Sequence, residues 1–172
     1  MNSFMFDTNI FNAILDESIS LQEIKGKEIF YITHVQMDEI NQTKDQKRKV
    51  ELLKTLTECD TRDISTSSFV LGVSRLGRAR LGGDIIPKDS DIPDTLTGEK
   101  RQWGSDINLY DPIREKLNRL NKNKKNNVQD AIIAETAIKN GFTLITHDKD
   151  LFSVTTFYSG ACANIYQVLS TR

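Results

Sequence analysis

The sequence is poor in cysteine, and its two cysteines, Cys59 and Cys162, lie far apart without a spacing typical of a metal site. This excludes a disulfide scaffold, and two reduced thiols in a cytoplasmic protein are expected. Long hydrophobic runs are also absent, since no stretch approaches the roughly 20 apolar residues that a membrane span needs. Residues 1–10 include no basic residue, so neither a secretory signal nor an association with membranes is expected.

A large excess of charge of one sign is missing as well. The 172 residues include 23 Lys and Arg against 24 Asp and Glu, so the formal net charge is -1. This excludes a strongly basic domain that binds nucleic acid through its overall charge. Basic residues nevertheless form three local groups. They are Lys44, Lys47, Arg48, Lys49 and Lys54; Arg75, Arg78 and Arg80; and Arg114, Lys116, Arg119, Lys122, Lys124 and Lys125.

Strand-like and helix-like apolar patterns alternate along the chain. Short β-branched or aromatic runs predict strands over 3–6, 29–32, 63–66, 142–146 and 153–158. Helical spacing predicts helices after the first strand, from Thr33, over 44–58, from Ser67 or Ser68 to Leu76, from Pro112, and over 127–141. Thr33 and Gln36 have the spacing of a capping box. The apolar positions of two of these helices are Val50, Leu53 and Leu56, expected to point inward, and Ile113, Leu117 and Leu120. The alternation predicts an α/β fold with a parallel sheet covered on both faces. We expect one domain over 1–172, with an insertion at about 82–111 where the periodicity is lost.

Acidic residues follow the predicted strands at four distant places, namely Asp7, Glu39, Asp130 and Asp148. Ligands of such folds bind beyond the carboxyl ends of the strands, so these side chains should lie at one edge of the sheet. Clustered carboxylates repel one another unless a cation lies among them. Oxygen ligands without histidine or cysteine favour Mg²⁺ or Mn²⁺. His34 and His147 neighbour the acids in sequence but are not expected to be ligands.

A metal held by carboxylates next to basic helices indicates a phosphodiester substrate. The cation polarises the phosphoryl oxygen, activates the attacking water and stabilises the leaving oxygen. Basic side chains would hold the phosphate backbone without reading its sequence. The candidates for this contact are Lys47, Arg48, Lys122, Lys124 and Lys125.

Four segments, in this order, resemble the motifs of PIN-domain ribonucleases. They are Phe6-Asp7-Thr8-Asn9-Ile10, Glu39 in the second helix, Asp130-Ala131-Ile132-Ile133-Ala134, and Leu144-Ile145-Thr146-His147-Asp148-Lys149-Asp150-Leu151-Phe152. The resemblance covers about residues 1–42 and 126–158. It implies a three-layer α/β/α sandwich with a central parallel sheet, and a metal-dependent endoribonuclease.

The resemblance also implies roles for single residues and for partners. Asp7, Glu39, Asp130 and Asp148 take the four acidic positions, Asp150 is an accessory acid, and Asn9 and Thr146 support the site. Many small bacterial members of the family are VapC-like toxins, which are dimeric and inhibited by an antitoxin. RNA, an antitoxin and a second copy of the chain are therefore the expected partners. The separation between Glu39 and Asp130 exceeds that of the compact toxins, and the excess falls at about 82–111.

Other functions are compatible with the same residues. A PIN nuclease of RNA maturation or surveillance would have the same motifs. A non-catalytic RNA-binding PIN-like module would usually lack part of the acidic set, and none is missing here. A phosphoacceptor receiver domain is disfavoured, because it needs paired acids after the first strand and Asp7 stands alone.

Overall fold

The computed structural model describes residues 3–17, 19, 28–80 and 108–170. In chain order, its elements are β1 (Ser3–Phe6), α1 (Thr8–Asp16), β2 (Ile29–Ile32), α2 (His34–Asn41), α3 (Gln46–Glu58), β3 (Arg62–Asp63), α4 (Tyr110–Asn121), α5 (Asn127–Asn140), β4 (Thr143–Ile145), α6 (Lys149–Phe157), β5 (Cys162–Ala163) and α7 (Ile165–Ser170). None of the helices in these ranges has the length and apolar composition needed to cross a membrane.

The strands form one parallel sheet in the order β3-β2-β1-β4-β5. Side chains alternate along the central strand β1, so Phe4 and Phe6 face one side and Met5 the other. The side of Phe4 and Phe6 packs against α1, α3 and α7. The side of Met5 packs against α4, α5 and α6. The predicted three-layer α/β/α sandwich is therefore confirmed.

Local signals in the sequence fix the helices that carry two of the acids. Helix α2 begins at the predicted capping box of Thr33 and Gln36. The Gln36 amide nitrogen also donates to the carbonyl of Phe6 at 2.8 Å, which ties α2 to the carboxyl end of β1. Helix α5 ends at Gly141, whose φ of 67° is the left-handed conformation that glycine adopts without strain. Glu39 and Asp130 are thereby held on helices fixed against the sheet.

The predicted strand over 153–158 is wrong, because most of these residues belong to α6. The Asp148 carboxylate caps that helix by accepting two backbone N–H groups. Leu151, Val154 and Thr155 then recur at helical spacing and are buried. Burial of this face outweighs the preference of the β-branched residues for strands. The fifth strand is the short β5 instead.

The helix predicted from Ser67 or Ser68 to Leu76 is also wrong. The chain turns repeatedly between 64 and 80, where a bridge pairs Thr66 with Ala79. Gly72 and Gly77 have φ values of 84° and 78°, and a right-handed helix cannot include them. As a result, Leu76 lies on the surface.

In each of two helices, one apolar side chain that the sequence places on the helix stripe lies at the surface. In α3, Leu52 and Leu56 are buried, whereas Val50, predicted to point inward, is 64% exposed. In α4, Leu117 is buried, whereas Leu120 is 51% exposed. The helices themselves are confirmed, and only the choice of these two side chains is corrected.

The predicted insertion over about 82–111 lies outside the described residues, except for 108–111. The described residues on both sides of it are tied to α5. The Ser67 N–H donates to the Thr136 hydroxyl at 3.1 Å, and the Leu109 N–H donates to the Glu135 carboxylate at 3.1 Å. Glu135 is fully buried and pairs with Lys139 at 3.4 Å, so its charge is compensated within α5.

Candidate active site

The four predicted acids occupy the carboxyl edge of the sheet and the helices next to it. Asp7 directly follows β1 and precedes α1. Asp148 directly precedes α6 and is separated from the end of β4 by Thr146 and His147. The Asp7 N–H donates to the Ile145 carbonyl at 3.0 Å, which joins the ends of the two neighbouring strands. Glu39 lies in α2, and Asp130 lies in the first turn of α5.

The acids are close enough to perturb one another's ionisation. Burial raises the pKa of Asp7 to about 7, and the charges of Glu39 and Asp148 add to this rise. Burial likewise raises the pKa of Asp130 to about 8, and the charges of Asp7, Glu39 and Asp148 act in the same direction. The pKa of Glu39 is raised by burial too. Such a cluster requires bound protons or a bound cation at neutral pH.

A chain of hydrogen bonds orders the side chains around Asp7. The Thr146 hydroxyl donates to Asp7 Oδ2 at 2.7 Å and accepts the Asp148 N–H at 3.0 Å. The Asn9 amide nitrogen donates to Thr146 Oγ1 at 3.2 Å. Asn9 and Thr146, assigned to the support of the site by the resemblance, thus lie beside two of its acids.

Thr8 is a site residue that the sequence analysis did not single out. Its hydroxyl donates to Glu39 Oε2. This hydrogen bond joins the first residue of α1 to Glu39 in α2. This hydrogen bond opposes the rise in the pKa of Glu39. Its position next to Asp7 in the first motif was the signal that could have identified it.

Lys124 reaches the acids directly. Its Nζ lies 3.5 Å from Asp148 Oδ2 and 3.7 Å from Asp150 Oδ2. Its charge opposes the rise in the pKa of Asp130. Lys124 is predicted from the sequence to contact the RNA backbone, and in the structure its ammonium group lies beside the candidate metal ligands Asp148 and Asp150.

The turn between α4 and α5 positions Lys124. Lys122 and Asn123 both adopt the left-handed conformation, with φ values of 57° and 59°. The buried Asn127 amide donates to the side-chain oxygens of Asn118 and Asn121 at 2.7 and 2.8 Å. The Asn127 N–H also donates to the Lys124 carbonyl at 3.2 Å. A set of asparagines therefore fixes the backbone that carries the lysine.

The other predicted RNA contacts differ in how far their charges are already paired. Lys122 and Lys125 are exposed on the same turn as Lys124. Lys47 is exposed near the start of α3. Arg48 instead donates to both carboxylate oxygens of Asp16, at 2.9 and 2.7 Å, and its charge is partly neutralised there.

The acids at the sheet edge have the charge and the donor atoms that a divalent cation needs. Within the described ranges, no three His, Cys, Asp or Glu side chains converge closely enough to form a ready cage for an ion. The acids at the sheet edge nevertheless offer carboxylate oxygens, which are the ligands of Mg²⁺ and Mn²⁺. Their mutual repulsion is the electrostatic condition that a cation relieves, so the residues fit such an ion in charge and chemistry.

A groove of about 440 Å³ adjoins the acids on the side of β5 and α7. Thr146 and Asp148 line it together with His147, Phe152 and Tyr166. The rings of His147 and Tyr166 are nearly parallel, with centroids 5.9 Å apart and an interplanar angle of 15°. The sequence analysis did not identify this groove, because its walls come from segments that only the fold brings together.

Part of the chain is similar to a known protein domain, and the fold has a similar solved structure. The family model described as PIN domain matches residues 85–157, a range that includes Asp130 and Asp148 but not Asp7 or Glu39. The predicted resemblance to the PIN domain is thereby confirmed for this part of the chain. A solved structure titled "Crystal Structure of FitAcB from Neisseria gonorrhoeae" is 16% identical, with a TM-score of 0.39, and the match covers 95% of this chain and 98% of that chain. No curated protein matches the chain.

Proposed function

We propose that this chain, whose residues 85–157 match the PIN domain, is a metal-dependent endoribonuclease. The observation that carries the proposal is the placement of four acids at one edge of the sheet, where burial raises the pKa of Asp130 and the charges of Asp7, Glu39 and Asp148 raise it further. A structural protein gains nothing from this repulsion, whereas a nuclease uses such a cluster to bind a cation. The PIN-domain match, which covers two of the four acids, supports the same conclusion.

Asp7, Glu39, Asp130 and Asp148 would hold Mg²⁺ or Mn²⁺, with Asp150 beside them. A bound divalent cation supplies polarisation of the phosphoryl group and a lower pKa of the attacking water.

The chain's own residues orient the acids. Thr146 fixes one oxygen of Asp7 and the backbone of Asp148, and Thr8 fixes one oxygen of Glu39. Lys124 and the exposed Lys122 and Lys125 place positive charge on one side of the acids, where phosphates of RNA would be attracted. Lys47 and Arg48 are further proposed contacts with the backbone. RNA would thus approach the acids from the turn between α4 and α5.

The biological form of the proposal is the toxin of a toxin–antitoxin pair, acting in the cytoplasm as a homodimer and inhibited by an antitoxin. The motif resemblance to PIN-domain ribonucleases, many of whose small bacterial members are VapC-like toxins, supports it. A PIN nuclease of RNA maturation or surveillance is the alternative. Expression in a bacterial host separates the two, because a toxin arrests growth while a maturation enzyme changes the ends of specific RNAs without arrest.

The decisive experiment is incubation of the purified protein with total RNA and Mg²⁺ or Mn²⁺, followed by mapping of the new RNA ends. Cleavage should require the metal and stop in EDTA. The variant Asp148→Asn should lower the rate by about two orders of magnitude or more. The matched control is Asp16→Asn, because Asp16 is an exposed acid paired with Arg48. Full activity in EDTA, or equal loss in both variants, would contradict the proposal.

A further inference from the structure

The groove beside Asp148 is continuous with the candidate active site. Thr146 and Asp148 line both the groove and the acidic edge. Its volume of about 440 Å³ lies within the roughly 300–1,000 Å³ of sites for small ligands. A nucleotide bound at the acids would therefore have its neighbouring base or sugar at the mouth of the groove.

Aromatic faces form one side of the groove. Tyr166 is 51% exposed, although burying such a ring against other residues would stabilise the fold. It lies nearly parallel to His147, and Phe152 lines the same groove. His147 is partly buried and backs the exposed ring of Tyr166, and an exposed flat ring is a surface on which unpaired nucleic-acid bases stack.

The charges of the groove favour a base over a phosphate. Its charged rim residues besides Asp148 are Lys149 and Glu17, which have opposite signs. A phosphate site would need an excess of positive charge, and that excess lies instead on the turn that carries Lys124. Asn164 and Gln167 also line the wall, and each uses its side-chain oxygen to accept the other's backbone N–H at the start of α7.

We propose that this groove binds an unpaired base of the RNA next to the cleaved phosphate, with the base stacked on Tyr166. The inference rests on the proposed function, because it takes RNA as the substrate. It assigns the two sides of the acidic site different tasks. The lysine turn attracts the backbone without regard to sequence, and the groove contacts one base.

The test combines single substitutions in the protein with single missing bases in the RNA. Binding of a fluorescent single-stranded octaribonucleotide is measured by anisotropy in EDTA, so that cleavage does not interfere. Eight further oligomers each carry one abasic site. The protein variants are Tyr166→Ala, Tyr166→Trp and, as a matched control, Phe157→Ala. Phe157 is similarly exposed, at 53%, but does not line the groove.

Tyr166→Ala should weaken binding of the intact oligomer by about 5-fold to 100-fold, the range for loss of one stacked base. For one abasic position, the oligomer should bind the parent protein as weakly as the intact oligomer binds Tyr166→Ala. The same abasic oligomer should bind Tyr166→Ala no more weakly than it binds the parent. Tyr166→Trp should retain binding, and Phe157→Ala should behave as the parent. Thermal unfolding of all variants controls for the fold.

The outcomes separate the two proposals. If abasic sites weaken binding equally in the parent and in Tyr166→Ala, the groove does not hold a base, even when the parent cleaves RNA in Mn²⁺. A groove that serves a protein partner would give that same result. If the coupling to Tyr166 is present but no cleavage occurs with any metal, the groove proposal stands and the nuclease proposal fails. A parent protein that binds no oligomer in EDTA overturns the groove proposal, and one that also cleaves no RNA with Mg²⁺ or Mn²⁺ overturns both.

Discussion

Replacing Asp7 with Asn should stabilise the metal-free protein, although it should abolish activity. Asp7 is 4% exposed and has a pKa of about 7 in the folded chain, against an ordinary value of 3.8. Its side chain makes no capping hydrogen bond to α1 beyond the Thr8 N–H, which acts to lower its pKa. The Thr146 hydroxyl, now a donor to Asp7 Oδ2, can donate equally to an amide oxygen. The main change is the loss of a charge that the fold disfavours.

The sign and size of the effect follow from proton linkage. Because the folded pKa is raised, the folded protein binds more protons than the unfolded chain between about pH 4 and pH 7, and stability falls as the pH rises through this window. A rise from 3.8 to about 7 corresponds to about 4 kcal/mol once Asp7 is ionised in both states. At pH 5 less than half of this penalty has developed. For a chain of this length, 4 kcal/mol is roughly 10 °C in Tm.

The assay is thermal unfolding followed by circular dichroism in EDTA at pH 5 and pH 8.5. Asp7→Asn should raise Tm above the parent at pH 8.5 and by a smaller amount at pH 5. Asp16→Asn is the control with the opposite sign, because Arg48 lowers the pKa of Asp16. Addition of Mn²⁺ should raise the Tm of the parent more than that of Asp7→Asn, since the cation binds the folded parent in preference to the unfolded chain.

Two results would refute this reasoning. One is a Tm for Asp7→Asn below that of the parent at pH 8.5 in EDTA. The other is a gain that is equal at pH 5 and pH 8.5, because it would show that the ionisation of Asp7 is not the cause.

Three further predictions concern the rest of the site. Asp130→Asn should remove cleavage while the circular dichroism spectrum stays unchanged, and retained activity would exclude Asp130 from the metal site. Charge reversal at Lys122 and Lys125 should weaken RNA binding across sequences and lower the slope of log affinity against log salt by about one unit for each lost contact, so an unchanged slope would contradict these contacts. Replacing 83–98 by a short Gly-Ser linker should leave the fold and the metal dependence intact but alter the choice of substrate or partner, and identical cleavage with every partner retained would show that the segment has no such role.

Much of the architecture could be predicted because local and tertiary signals agree. β1, β2 and β4 are buried β-branched or aromatic runs, and Thr33, Gln36 and Gly141 mark helix ends that the structure reproduces. The two wrong predictions, the strand over 153–158 and the helix from Ser67 or Ser68 to Leu76, concern segments whose local sequence pattern disagrees with the structure. The run from Val154 to Tyr158 favours a strand by composition, but Asp148 caps a helix and the buried positions have helical spacing.

Different physical reasons limited the prediction of the candidate site. The acids could be inferred, because parallel strands end at one edge of the sheet and acidic residues that follow strands can be recognised directly in the sequence. Lys124 could be found as a basic residue but not as a neighbour of Asp148, because its position depends on a turn fixed by Asn118, Asn121 and Asn127. The aromatic groove depends on the packing of α7 against the loop after β4, which has no local signal in the sequence.

The attachment of Ser67 and Leu109 to adjacent residues of α5 has a consequence for how this chain can vary in length. Both hydrogen bonds end on Thr136 and Glu135, and Arg80 is held next to Thr66 by its backbone N–H. The number of residues between 80 and 108 can therefore change without moving the sheet or the helix that carries Asp130. Relatives with the same acids should differ most in length at this point of the chain.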